Sequence, residues 1–256
     1  MHTTQDHWLR RFSVSRGHAG PHLILCPHAG AGASSQRELS DLCAPWCTPS
    51  VVQYPGRQDR IGRTPARSIT DIADAVAREL AAQPAADTRE LVIFGHSMGA
   101  LVAFELARSC GREGLPVAHL VVSAAVPPHA VAAEPRHPVT DRGIIDRLVG
   151  LAGTDDAILA DPDLVSLAIG ALRADYAMTD SYGCGKDAAV SCPISVLGGD
   201  SDPIVPFTRL WGWRAHTTAD CSVSLFRGGH FYLSAQLPAV AEFLGRACTP
   251  VAVPVP

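Results

Sequence analysis

Residues 90–100, Glu90-Leu91-Val92-Ile93-Phe94-Gly95-His96-Ser97-Met98-Gly99-Ala100, decide the fold. Leu91–Phe94 is an unbroken apolar run, the pattern of a strand buried on both faces. From Met98 to Ser109 the spacing turns helical. Between the two lies G-x-S-x-G, which belongs on a sharp strand-to-helix turn that lifts the serine Oγ clear of the sheet. Gly95 and Gly99 leave room where strand and helix approach closely. The helix that begins at Met98 presents free backbone N–H groups to the same place, which suits a developing negative charge.

Working outward, apolar runs alternate with helical patterns on both sides of this turn. His22–Cys26, Ser50–Tyr54, His119–Ala124, Ile194–Leu197 and Val223–Phe226 read as further strands, and Trp8–Val14 as an edge strand. Ile69–Leu80 and Tyr232–Ala247 read as helices. Strands separated by helices imply right-handed crossovers and a mostly parallel sheet. About residues 129–192 break the rhythm. They hold helical patterns near Asp141–Leu151, Asp155–Leu159 and Pro162–Met178 and no clear strand. A loop of that length without structure does not suit a compact domain, so the segment is expected to be a helical lid inserted over one end of the sheet. The expectation is one α/β domain over 1–256, with a flexible Pro-rich tail at 249–256.

Composition narrows the function classes. A net charge of −4 argues against a nucleic-acid binder. No apolar run approaches the roughly 18–20 residues of a membrane span, and the first residues lack the apolar core of a secretory signal. The eight cysteines are scattered without CxxC pairs. No metal is therefore expected, and a cytoplasmic protein with reduced thiols is.

A serine nucleophile needs a base, and the base needs an orienting group. In this arrangement they follow in the order serine, acid, histidine. His230, in Phe226-Arg227-Gly228-Gly229-His230-Phe231, directly follows the last strand, and its glycines let the loop bend back. The acid comes from Gly198-Gly199-Asp200-Ser201-Asp202-Pro203. Pro203 imposes an extended backbone on Asp202, which favours Asp202 over Asp200, a solvated turn residue. Pro27-His28-Ala29-Gly30 follows an early strand, so the backbone N–H groups of Ala29 and Met98 are the candidate oxyanion donors.

Four stretches, Pro27-His28-Ala29-Gly30, Tyr54-Pro55-Gly56-Arg57, Phe94–Ala100 and Gly228-Gly229-His230-Phe231, resemble the stand-alone type II thioesterases that accompany polyketide and nonribosomal peptide synthetases. Gly198-Gly199-x-x-Asp202-Pro203 resembles that family's acid loop and supports Asp202. The resemblance runs from about residue 20 to 245. It implies an α/β-hydrolase fold with a helical lid and no cofactor. It also implies removal of acyl groups from the phosphopantetheine arm of acyl or peptidyl carrier proteins.

Against an acidic carrier, the lid segment is itself acidic, with ten Asp/Glu and five Arg/Lys. Arg57, Arg60, Arg63 and Arg67 form the densest basic run, and Arg57, Arg60 and Arg63 are expected to face the phosphopantetheine phosphate or the carrier surface. Lid leucines 148, 151, 159, 164, 167 and 172 are expected to set acyl-chain access. Rival readings are a carboxylesterase, a medium-chain fatty acyl thioesterase, a cyclising release enzyme and a catalytically silent carrier-binding protein.

Overall fold

The computed structural model describes residues 7–12, 20–83, 89–151 and 162–249. Seven strands form one sheet: β1 Leu9–Arg10, β2 His22–Cys26, β3 Thr48–Val52, β4 Leu91–His96, β5 Val117–Ser123, β6 Ile194–Gly199 and β7 Cys221–Phe226. Their order is β1-β3-β2-β4-β5-β6-β7. Among the described strands, only the β1–β3 pair is antiparallel. The six principal helices are α1 Arg37–Cys43, α2 Ile69–Ala81, α3 Met98–Arg112, α4 Asp141–Gly150, α5 Pro162–Ser181 and α6 Leu237–Ala247. This is the α/β-hydrolase fold.

β2 shows why its run is apolar without alternation. Successive side chains point to opposite faces, and both faces are covered. Leu23 and Leu25 lie in one core with Leu39 of α1 and Val240 and Leu244 of α6. Ile24 and Cys26 lie in the other with Ile72 and Val76 of α2 and Leu101 and Phe104 of α3. Entry into α2 is set by Ser68, whose Oγ accepts the Asp71 N–H at 3.0 Å.

Several boundaries differ from expectation. β3 begins and ends two residues early, and the edge strand shrinks to Leu9–Arg10; Val14 lies outside the described residues. The single helix expected over 232–247 is two pieces, Tyr232–Ala235 and Leu237–Ala247. The break falls at Gln236, where Pro238 in the first turn of α6 has no N–H to continue an earlier helix. The pattern at 155–159 and nearly all of the 249–256 tail lie outside the described residues. Among those residues, no helix is long and apolar enough to cross a membrane.

Parallel strands with helical crossovers bring the loops after β2, β4, β5, β6 and β7 to the same carboxyl edge of the sheet, where ligands bind in open α/β sheets. Between β5 and β6 the described residues form the helical turn Pro128–Ala133, α4 and α5.

Several histidines are buried in this frame. Burial, with Arg11 and Arg89 adding to it, pushes His22 down to about 3. Burial likewise lowers His96 and His216. Below about pH 6.5 the unfolded chain takes up protons that the folded chain refuses, so stability falls as pH falls. Each such group contributes a slope of up to about 1.4 kcal/mol per pH unit. Thermal unfolding is therefore expected to move to clearly lower temperature between pH 7 and pH 5. A midpoint that stays flat over that interval would contradict the neutral burial of these side chains.

Candidate active site

Ser97 sits between β4 and α3 with φ 56° and ψ −121°. A non-glycine residue with this backbone stores strain of about 1–3 kcal/mol. The surroundings impose it. Ser97 N–H donates to Ser123 O at 2.8 Å, and Ala100 N–H donates to Ser97 O at 2.9 Å. The glycines on either side permit the tight approach. A Cβ on Gly95 would lie 2.7 Å from Ala100 N and closer still to Gly99 O. One on Gly99 would lie 2.5 Å from Pro27 O and closer still to Cys26 O. The turn therefore packs backbone on backbone, and Ser97 remains partly exposed at its apex.

His230 arrives on the loop after β7. Its Nε2 lies 3.0 Å from Ser97 Oγ, and its Nδ1 lies 2.9 Å from Asp202 Oδ2. The other Asp202 oxygen accepts the N–H groups of Ile204 at 2.8 Å and Val205 at 3.1 Å. Burial raises the Asp202 carboxyl, but the hydrogen bond and charge of His230 and these two N–H groups outweigh it. The carboxyl lies below its ordinary value and is ionised at neutral pH. Nδ1 facing a carboxylate carries the imidazole proton, which leaves the Nε2 lone pair for the serine hydroxyl.

Asp200, the other aspartate of the loop, is exposed and accepts Gly228 N–H at 3.0 Å and Ser201 Oγ–H at 2.8 Å. It thereby ties the β6 loop to the β7 loop without touching His230.

Ala29 and Met98 both line a small recess beside Ser97 and His230. No hydrogen bond among the described residues takes up either backbone N–H. His28, His96, His230 and Phe231 pack as a ring cluster, with His96 and His230 centroids 5.6 Å apart. Burial lowers His28 and His96, so both stay neutral beside His230.

A cavity of 330 Å³ opens above Ser97. Its apolar lining includes Met98, Leu101, Val126, Val131 and Ile204. Its polar lining includes Glu134, His137, Arg147, Thr179 and Asp180. His137 Nδ1 lies 2.6 Å from Asp180 Oδ1, and Glu134 pairs with Arg209 at 2.5 Å. Of the leucines expected in a lid, 148, 151 and 172 line the smaller recess beside Ser97, whereas Leu167 is exposed. Leu159 and the side chain of Leu164 lie outside the described residues.

Two of the three arginines expected at a carrier surface are inside the protein. Arg57 donates to both oxygens of Asp175 at 2.7 Å. Arg60 donates to Gln53 O at 3.0 Å, and its guanidinium lies 4.2 Å over the Trp8 ring. Both are under a tenth exposed. Arg63 is exposed. The run resembles a surface charge cluster in sequence because Asp175, which binds Arg57, and Trp8, which lies under Arg60, are remote along the chain. Asp175, 118 residues from Arg57, carries no local signal that would name it.

The thioesterase-domain family model matches residues 21–248. The chain is 35% identical over 247 residues to a probable cadicidin biosynthesis thioesterase of Streptomyces griseus, covering 96% of this chain and 67% of that protein. It is 39% identical over 242 residues to phenyloxazoline synthase MbtB of Mycobacterium tuberculosis, covering 93% of this chain but only 16% of that much longer protein. Among solved structures it superposes on the type II thioesterase BorB from the borrelidin biosynthetic cluster. That TM-score is 0.82 at 33% identity, over 94% of this chain and 98% of BorB.

Proposed function

Because the chain belongs to the thioesterase family, we propose that it removes acyl groups from the phosphopantetheine arm of acyl or peptidyl carrier proteins, as a type II thioesterase of polyketide or nonribosomal peptide biosynthesis. The observation that carries the chemistry is the continuous chain Ser97 Oγ–His230–Asp202, with contacts of 3.0 and 2.9 Å. It ends beside two backbone N–H groups with no acceptor among the described residues.

In this reading His230 Nε2 takes the hydroxyl proton as Ser97 Oγ attacks the thioester carbonyl. Asp202 stabilises the imidazolium through Nδ1. The carbonyl oxygen, now negative, is held by the N–H groups of Ala29 and Met98. Collapse breaks the C–S bond, the carrier thiol leaves with the proton from His230, and the acyl group stays as an ester on Ser97. A water molecule then gives its proton to His230 and attacks that ester. The acid is released and Ser97 recovers its proton. The strained backbone of Ser97 and the buried carboxylate of Asp202 fix this geometry before substrate arrives, so little reorganisation is needed during the reaction. Residues 129–192 act as the lid of a single domain.

The test follows loss of the acyl group from acetyl- and longer acyl-carrier proteins by intact mass, beside turnover of a matched oxygen ester. Stripping of the carrier in preference to ester cleavage is expected. Ester cleavage with every carrier left loaded would favour the carboxylesterase. Arg63 is the one exposed member of the three arginines, and Arg63→Glu is expected to raise KM for acyl-carrier protein but not for a small thioester. An equal rise for both substrates would remove Arg63 from the docking surface.

A further inference from the structure

The turn that carries Ala29 is held from outside. Ala31 N–H donates to His28 O at 3.2 Å, and Gly30 has φ +79°, the left-handed third position of a type II turn. The backbone groups beyond Ala29 are then claimed by side chains distant in sequence. Gly30 N–H donates to Asp175 Oδ2 at 2.7 Å, and Ala31 O accepts from Arg57 Nη1 at 3.1 Å. Asp175, wholly buried on α5, and Arg57 close a two-pronged ion pair at 2.7 Å for each prong. Leu172, one turn earlier on α5, fills the space in which a Gly30 side chain would stand.

We propose that Asp175 and Arg57 are positioning residues for the oxyanion site. From α5 and from the loop after β3 they hold the 28–31 turn so that the Ala29 N–H stays aimed at the thioester oxygen. This rests on the reading that Ala29 and Met98 are the oxyanion donors. Packing alone would not call for the pair, since a buried ion pair is often no more stabilising than apolar residues of the same volume. Its charges also have a reason to come together. A lone carboxylate bound to the residue after Ala29 would oppose the negative charge that develops there, and the Arg57 guanidinium neutralises it. It follows that α5 is tied to the catalytic frame at Asp175.

The test uses Asp175→Asn, which keeps the shape and one acceptor, and Arg57→Lys, which keeps the charge and loses the fork. The substrate is the butyryl thioester of N-acetylcysteamine. The probe is butylboronic acid, whose tetrahedral serine adduct puts an oxygen where the oxyanion rests. Asp175→Asn is expected to lower kcat on the order of 10- to 100-fold, short of the loss of a whole donor. KM should move by less than about 3-fold by the same argument. Boronate affinity should fall in step with kcat, while the pH profile of kcat/KM stays in place. Arg57→Lys should show the same pattern, more weakly, and decides the matter if Asp175→Asn does not fold. Folded variants whose kcat and boronate affinity match wild type would overturn the proposal, whatever their melting temperature. Turnover that survives Ser97→Ala would instead remove the serine acyl-enzyme reading on which the oxyanion assignment stands, a result separable from the clamp's failure.

Discussion

Ser97→Ala is expected to abolish thioester turnover, with kcat lowered on the order of 10⁴- to 10⁶-fold, as when the nucleophile of a serine triad is removed. The fold should survive, because alanine deletes one oxygen at a partly exposed position whose backbone is held by the Ser123 and Ala100 hydrogen bonds. Binding should survive as well, since Oγ acts in bond formation and not in docking. Acyl-carrier protein should therefore be captured without being stripped. Intact mass would show wild type passing through an acyl adduct and the variant showing none. Triad members act as one unit, so a Ser97→Ala/His230→Ala double variant should be scarcely slower than either single one. Losses that multiplied across the two substitutions would mean that Ser97 and His230 act in separate steps, against the 3.0 Å contact between them.

The second large effect is on folding. Gly99→Ala would place a methyl group 2.5 Å from Pro27 O, and Gly95→Ala one 2.7 Å from Ala100 N, each with a nearer carbonyl beside it. The obstacles are backbone atoms of β2, its following loop and α3, which cannot rotate aside as a side chain can. Overpacking of ordinary cores costs about 1–3 kcal/mol. Here strand and helix must separate, and the cost is expected to exceed roughly 4 kcal/mol, a large share of a domain's stability. Little folded protein should be recovered from either variant. Gly111→Ala is the matched control in the same helix. Nothing lies within 4 Å of its added Cβ, and in a helix alanine is better than glycine by up to about 1 kcal/mol. Its melting temperature should rise or hold. Gly95→Ala or Gly99→Ala protein melting like wild type would show that the turn is looser than these distances require.

The two effects share an origin in a contiguous stretch, and that is why it could be read. Residues 91–99 hold a buried run, two glycines and a serine within nine positions. Sterics between neighbours are enough to turn that order into strand, strained turn and helix. His230 was legible for a related reason, lying just after an apolar strand with glycines to bend the loop. The choice between Asp202 and Asp200 was half legible. Pro203 restricts Asp202, but only the meeting of the β6 and β7 loops puts one carboxylate on His230 and the other on Gly228.

By itself, then, the sequence determined the strand–turn–helix of Ser97, the mostly parallel α/β plan and the candidate nucleophile and base, because each is written in residues close together along the chain. Tertiary structure alone decided where the arginines went. Arg57 and Arg60 look like a solvated run in sequence, yet Arg57 meets Asp175 across 118 residues and Arg60 lies on Trp8. It also decided that a helix between β5 and β6 grips the turn of Ala29, since Gly30 and Asp175 are 145 residues apart. A charged side chain takes its meaning from whichever partner the fold brings within 3 Å, and sequence separation carries no record of that.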